Sequence, residues 1–102
     1  MSKRHRNSHQ NEDEHHLYAI WDSEEEDVLK YGISSDPIEE DGLSRRVRSQ
    51  LNLFNAIVGV MRFFGEILIK GIKGRKKAEQ IEKEYIDAFE KKHGYKPRAN
   101  RK

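Results

Sequence analysis

The chain has 102 residues, 37% of them charged and 34% hydrophobic, with no cysteine; that allows one domain with a thin core and much solvated surface. The missing cysteines exclude a disulfide framework, a thiolate zinc site and a cysteine nucleophile, and they suit a reducing compartment. The net charge of +2 hides an asymmetry: residues 1–41 carry 4 Lys/Arg against 12 Asp/Glu, net −8, and residues 42–102 carry 16 against 6, net +10.

Residues 1–15 (MSKRHRNSHQNEDEH) hold no apolar side chain after Met1, so they have nothing to bury and are expected to be a disordered polar lead-in. No apolar stretch follows their basic residues, so no secretion signal is expected. Histidines stand at positions 5, 9, 15 and 16. A flexible segment loses too much conformational entropy in holding a metal for that to be favoured over a solvated tail.

The folded part is expected at 16–102. Leu17–Asp22 (LYAIWD) reads as a strand and Val28–Ile33 (VLKYGI) as a second, joined by the acidic turn SEEED into a hairpin. Ser34–Gly42 is a loop with Pro37 and Gly42 as breakers. Ser44 is a plausible N-cap for a helix with Val47, Leu51 and Phe54 at i, i+4 and i+7. Ala56–Val60 fits either the helix end or a connector. Met61–Lys70 (MRFFGEILIK) resembles a third strand with Gly65 as its bulge, and Gly71 and Gly74 then break the chain. A long helix is expected from Arg75 to His93, stopped by Gly94, with a short basic tail at Tyr95–Lys102. The run Leu51–Ile69 is interrupted by Asn52, Asn55, Arg62 and Glu66, so it reads as core rather than a membrane span. The order β-β-α-β-α makes this an α+β chain: a three-stranded antiparallel sheet packed by helices.

One residue of the last helix is out of place. Ala78, Ile81, Tyr85, Ala88 and Phe89 share one side at helical spacing, and Glu82 projects into that side. A carboxylate on a packing face is costly unless a cation or strong donor meets it. Two readings answer this: a salt bridge to an arginine of the first helix, or a hard divalent cation such as Mg²⁺. Arg46 and Gln50, four apart, lie beside the first helix's apolar stripe, whereas Arg45 and Arg48 face away. An arginine so placed can offer its planar fork to a phosphate, although long basic side chains also snorkel along helix edges. From the hairpin, Tyr18, Lys30 and Tyr31 offer groups able to move protons if their surroundings shift them, while aromatics in a strand are more often core.

In chain order these residues resemble the GIY-YIG endonuclease family. HLYAI puts Tyr18 on the first-strand tyrosine, with His16 and Leu17 in place of Gly and Ile. LKYGIS, aligned at Gly32, puts Lys30 on the second tyrosine and Tyr31 on the middle residue. SRRVRSQL places Arg46 on the helix arginine and Gln50 where many members have histidine; AEQIEKEYI places Glu82 on the glutamate, and GYKPRAN places Asn100 on the closing asparagine. A finer resemblance is to the URI-type nuclease domains of bacterial polymorphic toxins, through KYGIS and the D-P-I loop. Successive strand residues face opposite ways, so Lys30 and Tyr31 cannot both enter one site, and Lys30 is the favoured one.

The resemblance implies a metal-dependent endonuclease that hydrolyses phosphodiester bonds, in DNA rather than RNA, with little sequence specificity. Glu82 would hold one Mg²⁺ or Mn²⁺; Arg46 would stabilise charge on phosphorus, Tyr18 would orient or deprotonate water with Lys30 beside the phosphate, and Asn100 would fix the last helix or donate to phosphate. Arg45, Arg48, Gln50, Lys73, Arg75, Lys76, Lys77 and Arg98, with Arg101 and Lys102, would track the nucleic-acid backbone. An immunity protein is the implied partner, and the site of action is cytoplasmic, with delivery into a target cell as part of a larger effector. Two other classes fit the same residues: a nucleic-acid-binding module of this fold without turnover, and a small protein-interaction domain whose acidic residues 12–41 dock a basic partner.

Overall fold

A computed structural model describes residues 13–100. The elements run β1 (Glu14–Asp22), β2 (Asp27–Ser34), α1 (Arg45–Val58), β3 (Phe63–Lys73), α2 (Arg75–His93) and a closing 3₁₀ turn, Arg98–Asn100. The strands form one antiparallel sheet in the order β2-β1-β3, the α+β arrangement expected. The lead-in residues 1–12, with His5 and His9, and the terminal Arg101 and Lys102 lie outside the described residues.

Side-chain alternation along the central strand divides the core between the two helices. Tyr18 and Ile20 pack with Leu29, Val47 and Phe63 on the α1 side. Leu17 packs with Ile72 and Ala78, and Ala19 with Val28 and Phe89, on the α2 side. Ser44 caps α1 as expected, its hydroxyl accepting the Val47 N–H. Gly59 and Gly94 close the two helices in the left-handed conformation. Helix α1 therefore runs on through Ala56–Val58, and the connector is shorter than the sequence left open.

Four expectations need correcting. First, β1 begins at Glu14 rather than Leu17, so Glu14 and His15 of the expected lead-in are strand residues, and His15 and His16 are both buried. Their rings are satisfied by the Asp13 carbonyl and the Ser44 hydroxyl, and that is what makes burial tolerable. Second, β3 spans Phe63–Lys73 rather than Met61–Lys70, and Gly71 does not break it. Against β1 the register runs Tyr18↔Ile67, Leu17↔Ile69 and His15↔Ile72, so β3 carries extra residues at Leu68 and at Lys70–Gly71. Gly71, with φ +68°, supplies the left-handed residue such a bulge uses.

Third, the bulges are therefore not at Gly65. That glycine gives α1 room: a Cβ there would lie 2.7 Å from Val47 Cγ1 and 3.1 Å from Leu51 Cδ1. Fourth, within the expected basic tail residues 97–100 are packed onto the domain. Pro97 is fully buried, and the 3₁₀ turn is docked on β2 by Asn100, whose carboxamide accepts the Tyr31 N–H (2.8 Å) and donates to the Tyr31 carbonyl (3.0 Å). Arg98 meanwhile pairs with Asp22 (2.7 Å) and Asp27 (2.9 Å).

Candidate active site

Tyr18 stands at the middle of the central strand and is 1% exposed. Its ring crosses the neighbouring strand at Gly32, where a Cβ would lie 2.3 Å from both Cζ and the phenol oxygen. Only glycine leaves the tyrosine that path. The phenol O–H donates to Gln50 Oε1 at 3.1 Å, and Lys30 Nζ donates to the same oxygen at 3.0 Å. One amide oxygen on α1 thus gathers a group from β1 and a group from β2.

Charge surrounds this knot. Burial raises the Tyr18 pKa, opposed by Arg46 beside it, while Glu82 raises it further. Lys30 is lowered, first by burial and then by Arg46, with Glu82 pulling the other way. Glu82 is half-buried on α2 and pushed up by burial, against the pull of Lys30. Five side chains from four elements therefore converge: a phenol, an ammonium, a guanidinium, a carboxylate and the amide that ties two of them.

The structure bears on one of the two readings of Glu82. Among the described residues its carboxylate has no hydrogen bond and no ion pair, so the salt bridge from an α1 arginine is not made. Arg46 lies by Tyr18, and Arg48 is taken by Glu39 and Asp41 in the loop after β2. A half-buried carboxylate with open oxygens suits a hard cation that keeps several waters. No group of three or more His, Cys, Asp or Glu among the described residues could enclose a metal, so any ion here would take Glu82 as its main protein ligand.

The remaining predicted residues sort by position. Tyr31 points to the other face, its ring meeting Tyr85 at 5.5 Å and Phe89 at 6.4 Å; the alternation that admits Lys30 removes it from the site. Asn100 spends its carboxamide on the Tyr31 backbone, so its place is structural support beneath Lys30 rather than phosphate contact. Arg98 likewise is committed to Asp22 and Asp27 and not free to follow a nucleic-acid backbone. Arg45, Lys73, Lys76 and Lys77 are exposed, and Arg75 pairs with Glu79 at 3.0 Å on the α2 surface.

Two residues escaped the sequence reading. Asp22, 1% exposed, receives Arg62 and Arg98 and accepts the N–H groups of Glu24 and Glu25. These contacts hold its pKa down to about 2, with Arg62 the largest cause and burial opposing. Only its place at the end of an apolar strand hinted at burial. His16, read as a mere substitute for glycine, is 3% exposed, with its ring centroid 6.2 Å from that of Tyr18.

Among the described residues, no helix is long and apolar enough to cross a membrane. Over residues 8–94 the sequence matches the family model described as URI fold toxin 2; Arg98 and Asn100 fall outside that span. Comparison with curated proteins and with solved structures finds no match.

Proposed function

The chain belongs to the URI fold toxin 2 family, and on that premise we propose that it is a toxin domain acting as a GIY-YIG-type nuclease, hydrolysing phosphodiester bonds in DNA with the help of one Mg²⁺ or Mn²⁺. The observation that carries this reading is the convergence of Tyr18, Lys30, Arg46 and Glu82 around Gln50. Two cations, an acceptor for a water proton and a carboxylate with open oxygens are the parts that phosphoryl transfer uses.

Each residue then has a task. Arg46 and Lys30 meet the charge that builds on the phosphoryl oxygens. With its own proton committed to Gln50, the Tyr18 oxygen is left to accept from the attacking water and orient it. Glu82 is the residue that would hold the cation, whose chemistry is to stabilise negative charge on the phosphate and leaving oxygen. Exposed Arg45, Lys73, Lys76 and Lys77 add a salt-sensitive, sequence-indifferent attraction to the backbone. A producing cell needs a protein that blocks this cleft, which is the immunity partner in this reading.

The test is supercoiled plasmid incubated with Mg²⁺, Mn²⁺ or EDTA, alongside Glu82→Gln. The native chain nicks in either metal and not in EDTA, and the variant does not nick. Glu82 has its pKa raised, so its folded state binds protons more readily than the unfolded chain, and its charge costs stability as pH rises through 4.5. The substitution therefore removes a charge that costs stability at pH 7, and a thermal melt of both proteins separates lost nicking from unfolding. Retained nicking by the variant sinks the assignment. Salt-reversible retardation without cleavage would favour a binding module instead, the reading that Lys30 in the family's tyrosine position keeps open.

A further inference from the structure

His16 lies next to this site, on the face of β1 that carries Tyr18, because residues two apart on a strand share a face. Opposite it, between Leu17↔Ile69 and His15↔Ile72, β3 spends two residues, Lys70 and Gly71, against one. The imidazole is buried on the Tyr18 side of the sheet, with Nε2 3.1 Å from Ser44 Oγ. Ser44 is itself fully buried and is the N-cap of α1, accepting the Val47 N–H at 3.4 Å. One turn of helix then carries Arg46 to Tyr18, and the next carries Gln50.

The direction of the His16–Ser44 bond follows from the hydroxyl. Its oxygen accepts from the helix at Val47 N–H, which leaves its single proton available to Nε2; with the bond in that direction the ring proton stands on Nδ1. An imidazolium would reverse that bond and leave the buried hydroxyl proton without its acceptor. It would also set a positive charge against the positive end of α1. Of the ionisable groups around the ring, Asp36 in the loop after β2 favours the charged form, and His15 on β1 opposes it; burial opposes it most. Lys70 on β3, with Asp13 and Glu14, lines the ~410 Å³ cleft beyond.

We propose that His16 is a positioning residue of this site: as a neutral imidazole it takes the Ser44 hydroxyl proton, fixes the first turn of α1, and so holds Arg46 and Gln50 against Tyr18. Its effect on turnover rests on the nuclease reading; its effect on α1 does not. Protonation undoes the arrangement, so the site is intact at neutral pH and loosens in acid.

The experiment has two arms. In the first, the folded native chain is titrated by NMR, following the His16 ring and the Val47 amide. The two move with one midpoint, below the ordinary histidine value of 6.5, and in His16→Gln the Val47 amide no longer titrates there. A Val47 amide that does not move with the His16 ring in the native chain overturns the proposal, and this arm needs no cleavage. In the second, plasmid nicking is measured against pH. The native rate falls about tenfold per pH unit below the His16 midpoint, while His16→Gln, which keeps a polar contact and cannot titrate, nicks without that limb. A variant that retains the limb overturns the proposal. Should the native chain nick nothing at any pH, the nuclease reading fails and the NMR arm still decides the role of His16.

Discussion

Replacing Asp22 by Asn tests the reasoning about buried charge without reference to any activity. The native carboxylate is 1% exposed and holds Arg62 and Arg98 at 2.8 and 2.7 Å. Its folded pKa of about 2 lies below the ordinary 3.8, a gap worth roughly 2–3 kcal/mol at about 1.4 kcal/mol per unit. Because the folded value is the depressed one, this stability is fully present above pH 3.8 and is lost as pH falls toward 2. The amide can still accept the Glu24 and Glu25 N–H groups, so what the substitution removes is the ion pairing. Leaving two arginines facing a neutral group adds to the loss, which brings the expected cost at pH 7 to about 2–4 kcal/mol. Urea unfolding of both proteins at several pH values between 7 and 3 measures it. The gap between them is widest at pH 7 and narrows below pH 4 as the native carboxylate takes up its proton. A constant gap, or one under about 1 kcal/mol at pH 7, refutes the argument.

Two glycines separate steric from conformational demands. Gly32→Ala drives a methyl into the Tyr18 ring, costs about 1–3 kcal/mol, and shifts the Tyr18 ring resonances. At Gly71, with φ +68° and nothing within 4 Å of a built Cβ, alanine costs a similar ~1–2 kcal/mol from backbone strain alone and leaves those resonances in place. Equal Tyr18 shifts in both variants would contradict the path assigned to the ring. Asn100→Ala removes both bonds to the Tyr31 backbone and should cost about 1–3 kcal/mol, with the Tyr31 amide exchanging faster with solvent. Unchanged protection at Tyr31 would show that the C-terminal turn is not held there by Asn100.

Most of the architecture could be read from local chemistry, because each element carries its own signal. The Ser44 cap, Gly94 and the two helical stripes are statements about residues within one turn of each other. Glu82 also stood out locally, as a charge at a position where helical spacing demands an apolar group. What the sequence concealed depends on pairing between distant segments. A bulge is a mismatch in count between two strands, so Leu68 and Lys70–Gly71 are ordinary residues until β3 is laid against β1. The burial of Asp22 depends on Arg62 and Arg98, 40 and 76 residues away. His16 read only as a stand-in for glycine, because its partner, Ser44, is 28 residues on. Gln50 was placed with phosphate contacts from its neighbour Arg46, and only the folded chain brings Tyr18 and Lys30 to a single oxygen.

The Asn100 clasp sets an order in time. A chain made from its N-terminus completes β2 long before residue 100 exists. Through that interval the Tyr31 N–H and carbonyl lie open on an edge strand, and Asp22 and Asp27 lack Arg98. Glu82 also arrives only with the last helix. The hairpin that carries Tyr18 and Lys30 is thus made before the parts that steady and complete it. A site assembled in that order stays incomplete until the last helix and the closing turn are in place, and so does any surface shaped by them.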